Sequence, residues 1–377
     1  MFYADGIHDD TAALQELLDK RGIVTIEKNG TYLVSRTLII HSDTRLILAP
    51  GVRLKAADNS RCALIENEHF RLGLGRDRNI EIFGGAFDGN SNGQGLDGVY
   101  EAEHREDLPY STELFKGKLI RFAHIDNISL EKMTVCDPVS YGVQIADVRG
   151  FVVRDIHFDY NCCFGTTDGI HINGPARDGI IENLYGITND DMVSLTTIDE
   201  THAEVTVGEI SNVYIHNISA ENGFSGIRLL SAGGFEMRNI HINGVYGTYR
   251  HNAVLVSHHY TRPGTPTWFD DIIIEQVHAH KSPYSLREDQ FTYWDGYNRY
   301  LPLVWFGEGA NCGRVTLRDI SRYETTDTDG ALVQLDEDIS IERLYAENIT
   351  QTLAEGITAP MWVNNGKIGQ LIMKDVK

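Results

Sequence analysis

Short apolar segments of about four residues, separated by Gly, Asn and Asp, run along most of the chain. One pattern recurs: apolar-x-apolar-x-x-apolar, with Asn, Asp, Arg or a similar polar residue in the gap. Examples are Ile128-Ser-Leu130-Glu-Lys-Met133, Phe151-Val-Val153-Arg-Asp-Ile156 and Val213-Tyr-Ile215-His-Asn-Ile218. Taking the middle apolar residue as a marker, copies fall at 130, 153, 181, 215, 237, 274, 317 and 341. The steps are 23, 28, 34, 22, 37, 43 and 24 residues. A base period near 22–24 with insertions is the signature of a solenoid. Strands this short, alternating in and out, with no long helical pattern between them, predict an all-β right-handed parallel β-helix. The leucine-rich consensus is absent.

The start of the chain differs. Asp9 or Asp10 can cap a helix, and Leu14, Leu17 and Leu18 fall on one helical face. Short strands are expected at 22–26, 31–34, 37–40, 45–48, 52–54 and 79–83. Residues 1–36 therefore read as an N-terminal cap with a short helix, shielding an end of the stack from edge pairing. Residues 37–377 read as coils of the same single domain, 1–377. Polar or aromatic insertions are expected near 88–116, 198–209, 258–270 and 281–305. Such insertions become loops on one face, often the binding face. The last is dense in aromatics, with Tyr284, Phe291, Tyr293, Trp294, Tyr297, Tyr300 and Trp305. Trp294 is the first candidate for stacking on a sugar ring; packing on the solenoid wall is the alternative.

Composition narrows the partners. The formal net charge is -21, which argues against nucleic acid, whose phosphates need clustered Lys and Arg. It also argues mildly against a heavily anionic polysaccharide. No apolar run is long enough to cross a membrane, and the N-terminus shows no basic region followed by an apolar core. The chain as it stands reads as cytoplasmic, and as secreted or periplasmic where a signal has been removed. Five cysteines, an odd number without CxxC, argue against a disulfide framework or a zinc site and read as buried free thiols.

The chemistry gathers between Cys162 and Thr197. Consecutive coils align by hand: Asp168-Gly-Ile170-His171-Ile172 lies beside Asp191-Met-Val193-Ser194-Leu195, then Ser225-Gly-Ile227-Arg228-Leu229, then Asn252-Ala-Val254-Leu255-Val256. Strand alternation turns Ile170, Val193, Ile227 and Val254 inward, and His171, Ser194, Arg228 and Leu255 outward. Asp168 and Asp191 then share a column about 5 Å apart, with Asp190 beside them. Three carboxylates this close repel one another, so at least one should hold its proton. An acid and a base in one site is what glycoside hydrolysis requires. A lone Asp would read more simply as a turn residue.

Thr167-Asp168-Gly169 and Asp190-Asp191-Met192 resemble the Asn-Thr-Asp-Gly and Asp-Asp-Cys motifs of glycoside hydrolase family 28, the polygalacturonase group of the pectate lyase-like β-helices. The opening Asp5-Gly-x-x-Asp9-Asp10-Thr11-x-Ala13 is similar to the start of many proteins in that superfamily. The resemblance spans nearly the whole chain as fold but only about 30 residues as catalytic motif. It implies an inverting mechanism, with Asp190 as general acid and Asp168 and Asp191 holding and activating water. Two departures stand out. Ser225 fills the slot of the family's His, and Leu255 and Ser257 fill the slots of the Arg and Lys that bind the substrate carboxylate. The expected substrate is therefore a neutral or differently charged glycan rather than polygalacturonate.

Arg228 is a candidate for another substrate group or for a salt bridge to a neighbouring Asp. His171 and His258 or His259 are candidates for orienting the sugar or for structural roles. The reading assigns no metal and no cofactor, and expects a carbohydrate partner and a monomer or homo-oligomer. Two rivals share the fold: a polysaccharide lyase, in which the Asp cluster would hold Ca²⁺, and a trimeric tail-spike-like glycan depolymerase or binding protein.

Overall fold

The computed structural model describes residues 2–71, 73, 75–95, 118–198, 205–258, 266–285 and 299–377. Its strands join one 25-stranded sheet, wound so that each strand pairs in parallel with its equivalent one turn later. The fold is a right-handed parallel β-helix. Such a coil is stable because inward side chains stack on their copies. Leu130, Val153, Ile181, Ile215, Ile242, Ile274, Leu317 and Ala346 are in register and all are fully buried. Each large aliphatic side chain in this column contributes roughly 1.5–3 kcal/mol relative to leaving it exposed.

That register corrects two copies of the repeat. Met237 pairs with Ile210, and Ile341 with Cys312. The true equivalents of Ile215 are Ile242 and, further on, Ala346. Each coil buries more than one apolar-x-apolar segment, so the motif also matches a neighbouring part of the same turn. The corrected steps from 130 to 346 are 23, 28, 34, 27, 32, 43 and 29, so no 22–24 base period holds.

The polar residue in the gap has a backbone cause. Lys132, Asp155, Asn183, Asn217, Gln276, Asp319, Asn348 and Asp375 occupy one turn position and all have φ between 49° and 58°. Asn and Asp tolerate this left-handed region better than other non-glycine residues. Their side chains also bond along the stack: Asn183 Nδ2 donates to Asp155 Oδ1 at 2.9 Å and Asn217 Nδ2 to Asn183 Oδ1 at 2.8 Å. A second column, including Asn79, Asn127, Asp178, Asn212 and Asn239, does the same at another corner.

The helix Thr11–Leu18 buries Leu14 and Leu18 and leaves Leu17 half-buried. Its N-cap residue is Asp10, which makes no side-chain cap bond, while Asp9 Oδ1 accepts the Thr11 backbone N–H at 2.9 Å. The Asp10 carboxylate instead accepts the backbone N–H groups of Tyr3 and Ala4, each at 2.8 Å. The cap is smaller than 1–36. The strands Gly22–Ile26 and Gly30–Val34 pair with Thr44–Leu48 and Val52–Ala56, so they already belong to the first coil. A further strand, Asp5–Asp9, precedes the helix and pairs with Gly30–Val34.

Insertion limits shift as well. Asp88 ends the strand Ala86–Asp88. Trp268 to Asp270 lie in the strand Trp268–Lys281, and Trp305 in the strand Val304–Gly307, so these residues are wall rather than loop. All five cysteines are free thiols, but Cys62 and Cys163 are only half-buried. Among the described residues, no helix is long and apolar enough to cross a membrane.

Candidate active site

One stacked wall of the coil carries the chemistry. Its outward column runs Gln144, His171, Ser194, Arg228, Leu255, Trp305, Gln334. Between these residues, Ile170 and Ile172 and their equivalents fill the core, as alternation requires. Asp168 enters this wall just ahead of its strand. Gly169 permits it: a Cβ there would lie 2.5 Å from the Met192 carbonyl oxygen and 2.8 Å from Phe158 Cζ. The chain must therefore pass this point without a side chain.

Asp190 and Asp191 arrive one coil later through the turn Thr188–Asp190. That turn is pinned from several sides. Thr188 Oγ1 donates to the Asp190 carbonyl at 2.8 Å, Asn189 Nδ2 to the Phe164 carbonyl at 2.9 Å, and Arg250 Nη2 to Asn189 Oδ1 at 2.7 Å. Asp190 Oδ1 in turn accepts the Asp191 backbone N–H at 3.1 Å.

These elements bring carboxylate oxygens of Asp168, Asp190 and Asp191 within 4.8 Å of one another. Asp168 and Asp191 are buried, and Asp190 is half-buried. Burial above all, then the charge of Asp190 and more weakly that of Asp168, pushes the Asp191 carboxyl well above the usual carboxylate range. The Arg228 guanidinium and the Ser225 hydroxyl pull it back only partly. The three oxygens are also spaced to hold a hard cation. Glu68, His69 and Asp77 form a second such group on the first coils.

Among the proposed substrate residues, His171 and Arg228 reach the cluster. His171 is buried against Asp168, Nδ1 to Oδ2 at 2.5 Å. Its ring stacks on Tyr141 with centroids 4.2 Å apart and planes 6° apart. Arg228 Nη1 lies 4.0 Å from Asp191 Oδ2, and Nη2 lies 3.8 Å from Glu308 Oε2, so both an ion pair and a position beside the acids are realised. His258 is buried where it leaves the strand Val254–Ser257, two coils beyond Asp191, and does not join the acids. Trp294 lies outside the described residues, as does His259.

Alignment from residue 168 onward missed the coil before it. Tyr141 and Gln144 come from that coil, and Gln144 Nε2 donates to Asn173 Oδ1 at 2.7 Å, beside His171. Extending the same register one coil back to Val143-Gln144-Ile145 finds them. Glu308, from a coil further on, has a positive φ of 57° and carried no sequence signal. A cavity of about 760 Å³, lined by Arg76, His124, Asp147, Val205 and others, lies at the opposite end of these strands and includes none of the acids.

No family model matches this chain, and no curated protein matches it by sequence. Solved structures do. The family 28 exopolygalacturonase of Yersinia enterocolitica superposes with a TM-score of 0.62 at 16% identity, over 97% of this chain and 76% of that one. The A-module of the Azotobacter vinelandii mannuronan C-5 epimerase AlgE6 gives 0.58 at 13% identity, over 97% of both chains. The Streptococcus pneumoniae surface adhesin PfbA gives 0.52 at 14% identity, over 99% of this chain and 90% of that one. A hydrolase, an epimerase and an adhesin share these coils, so the likeness establishes the fold and leaves function to the site. This chain shares its right-handed parallel β-helix with the family 28 exopolygalacturonase, the epimerase module and the adhesin.

Proposed function

We propose that the protein is a glycoside hydrolase acting on a neutral poly- or oligosaccharide. The observation that supports this reading is the cluster of three carboxylates within 4.8 Å, one of which is held towards its protonated form. Asp191 holds a proton, with Asp190 beside it. Asp190, the more exposed, passes that proton to the glycosidic oxygen as the bond to the anomeric carbon breaks. Asp168, with the His171 Nδ1–H donating to it, takes the proton of the attacking water, whose oxygen becomes the new anomeric hydroxyl. Inversion is the outcome that the family resemblance favours. The nearest carboxylate oxygens are closer than the roughly 6.5–9.5 Å between the carboxyls of an ordinary inverting pair, so the anomer first released, read by NMR, decides it.

The substrate class follows from the reader positions. Leu255 is buried and apolar, and Ser257 is buried, so neither supplies a cation for a uronate. The test is release of reducing ends from a panel of neutral and acidic glycans, wild type beside Asp190→Asn. Turnover of a neutral glycan, lost in the variant, is expected. Calcium-dependent release of an unsaturated uronide would instead favour the lyase, in which the same three carboxylates hold the cation. Binding without turnover would favour a spike-like or adhesin role.

A further inference from the structure

Three coils beyond Ser194 the outward column reaches Trp305. Parallel strands are about 4.8 Å apart, so the indole stands about 14 Å along the same wall from the coil of Asp191. It is half-buried, in a wall whose neighbours Val304 and Phe306 are buried. Its orientation is fixed on two sides. The indole Nε1–H donates to Asp336 Oδ2 at 2.8 Å, and Gln334 Nε2 holds Asp336 Oδ1 at 2.8 Å. A Cβ on Gly307 would stand 2.6 Å from Trp305 Nε1 and 2.7 Å from Cε2. The ring thus lies over Gly307 of its own strand and stays partly exposed.

We propose that Trp305 is a sugar-stacking platform, on which a neutral pyranose of the glycan rests its apolar C–H face several units from the bond being cleaved. The proposal rests on the hydrolase reading for the direction of the groove. The chemistry around the ring selects the ligand. The Trp305 N–H is already engaged by Asp336, leaving the ring face to make the contact. The Asp336 carboxylate at its edge disfavours a uronate. Aromatic rings of this kind, apolar on the face and tied down by a polar edge, supply much of the affinity at binding surfaces.

The test uses the full chain carrying Asp190→Asn, titrated with galacto-, manno- and xylo-oligosaccharides of increasing length and with oligogalacturonates, following tryptophan fluorescence and calorimetry. Longer neutral oligosaccharides are expected to bind more tightly. Adding Trp305→Ala should weaken the long ones about tenfold and erase the gain with length, while Trp305→Phe should keep most of it. Thermal melts confirm that each variant is folded. Equal affinity for long chains in the folded Trp305→Ala variant overturns the platform, as does tighter binding of oligogalacturonates or no binding of any neutral glycan. Length-dependent binding through Trp305 without wild-type hydrolysis would sink the hydrolase reading and leave the platform standing. Hydrolysis that is indifferent to Trp305→Ala would do the reverse.

Discussion

His171 Nδ1 and Asp168 Oδ2 lie 2.5 Å apart, with both side chains almost wholly buried. A charge-assisted hydrogen bond of this length both orients the carboxylate and holds it as an acceptor. Substituting His171→Phe keeps a ring for Tyr141 to stack on and removes the Nδ1 donor, together with the Nε2 atom 3.4 Å from Asn173 Nδ2. We expect kcat to fall about 100-fold with little change in KM, since proton transfer by a positioned group is worth roughly that or more. Steady-state kinetics check it, and an unchanged kcat would assign His171 to packing alone.

Burial of the Asp191 carboxyl costs stability. Its folded pKa is raised above the unfolded value of about 3.9. The folded chain therefore binds more protons than the unfolded one between those two values, and stability falls as pH rises through that window. Asp191→Asn removes the cost. The variant should lose activity yet melt at a higher temperature than wild type at neutral pH. Near pH 3, where wild-type Asp191 is protonated in both states, the gain should vanish. Calorimetric melts at the two pH values decide it.

Gly169 and Gly234 separate crowding from backbone strain. An alanine at 169 meets Met192 and Phe158 and must displace the link between Asp168 and the strand Ile170–Ile187. Gly169→Ala should cost about 1–3 kcal/mol and impair activity together. Gly234 has a φ of +87° but nothing within 4 Å of a Cβ. Gly234→Ala should cost only about 1–2 kcal/mol, from the left-handed backbone alone, with activity retained. Denaturant titrations beside kinetics test the contrast.

The left-handed corners make their own prediction. Asn217 has a φ of 58° and donates to Asn183. Asn217→Val should destabilise by about 1–2 kcal/mol, whereas Asn217→Gly should cost less because glycine adopts this conformation freely. Equal effects would show that the amide ladder, rather than the backbone angle, matters at this corner.

Much of this was legible because a parallel coil makes sequence alignment equivalent to spatial adjacency. Once Asp168 and Asp191 are placed on successive coils, their proximity follows from the strand spacing, and the inward and outward columns at Ile170 and His171 follow from alternation. The same logic misled at Met237 and Ile341, where a second buried apolar-x-apolar segment of the turn imitates the repeat. Trp268 and Trp305 read as loop because aromatic density resembles an insertion, although each sits in a strand. Alternation turned His171 away from the core but could not show that it would be buried against Tyr141 and Asp168. Such contacts depend on which side chains meet across coils, and a hydrophobic pattern does not encode that.

The stacked wall has a consequence for how this protein would measure its ligand. The acids and the Trp305 ring sit on separate turns, and their separation is a whole number of strand spacings. Deleting the coil of Leu255, which lies between those of Arg228 and Trp305, would slide the indole about 4.8 Å closer to the acids without altering either end. The architecture is a ruler: preferred chain length would be written in the number of turns rather than in the shape of any pocket, and resetting it would require an insertion or deletion instead of a point mutation.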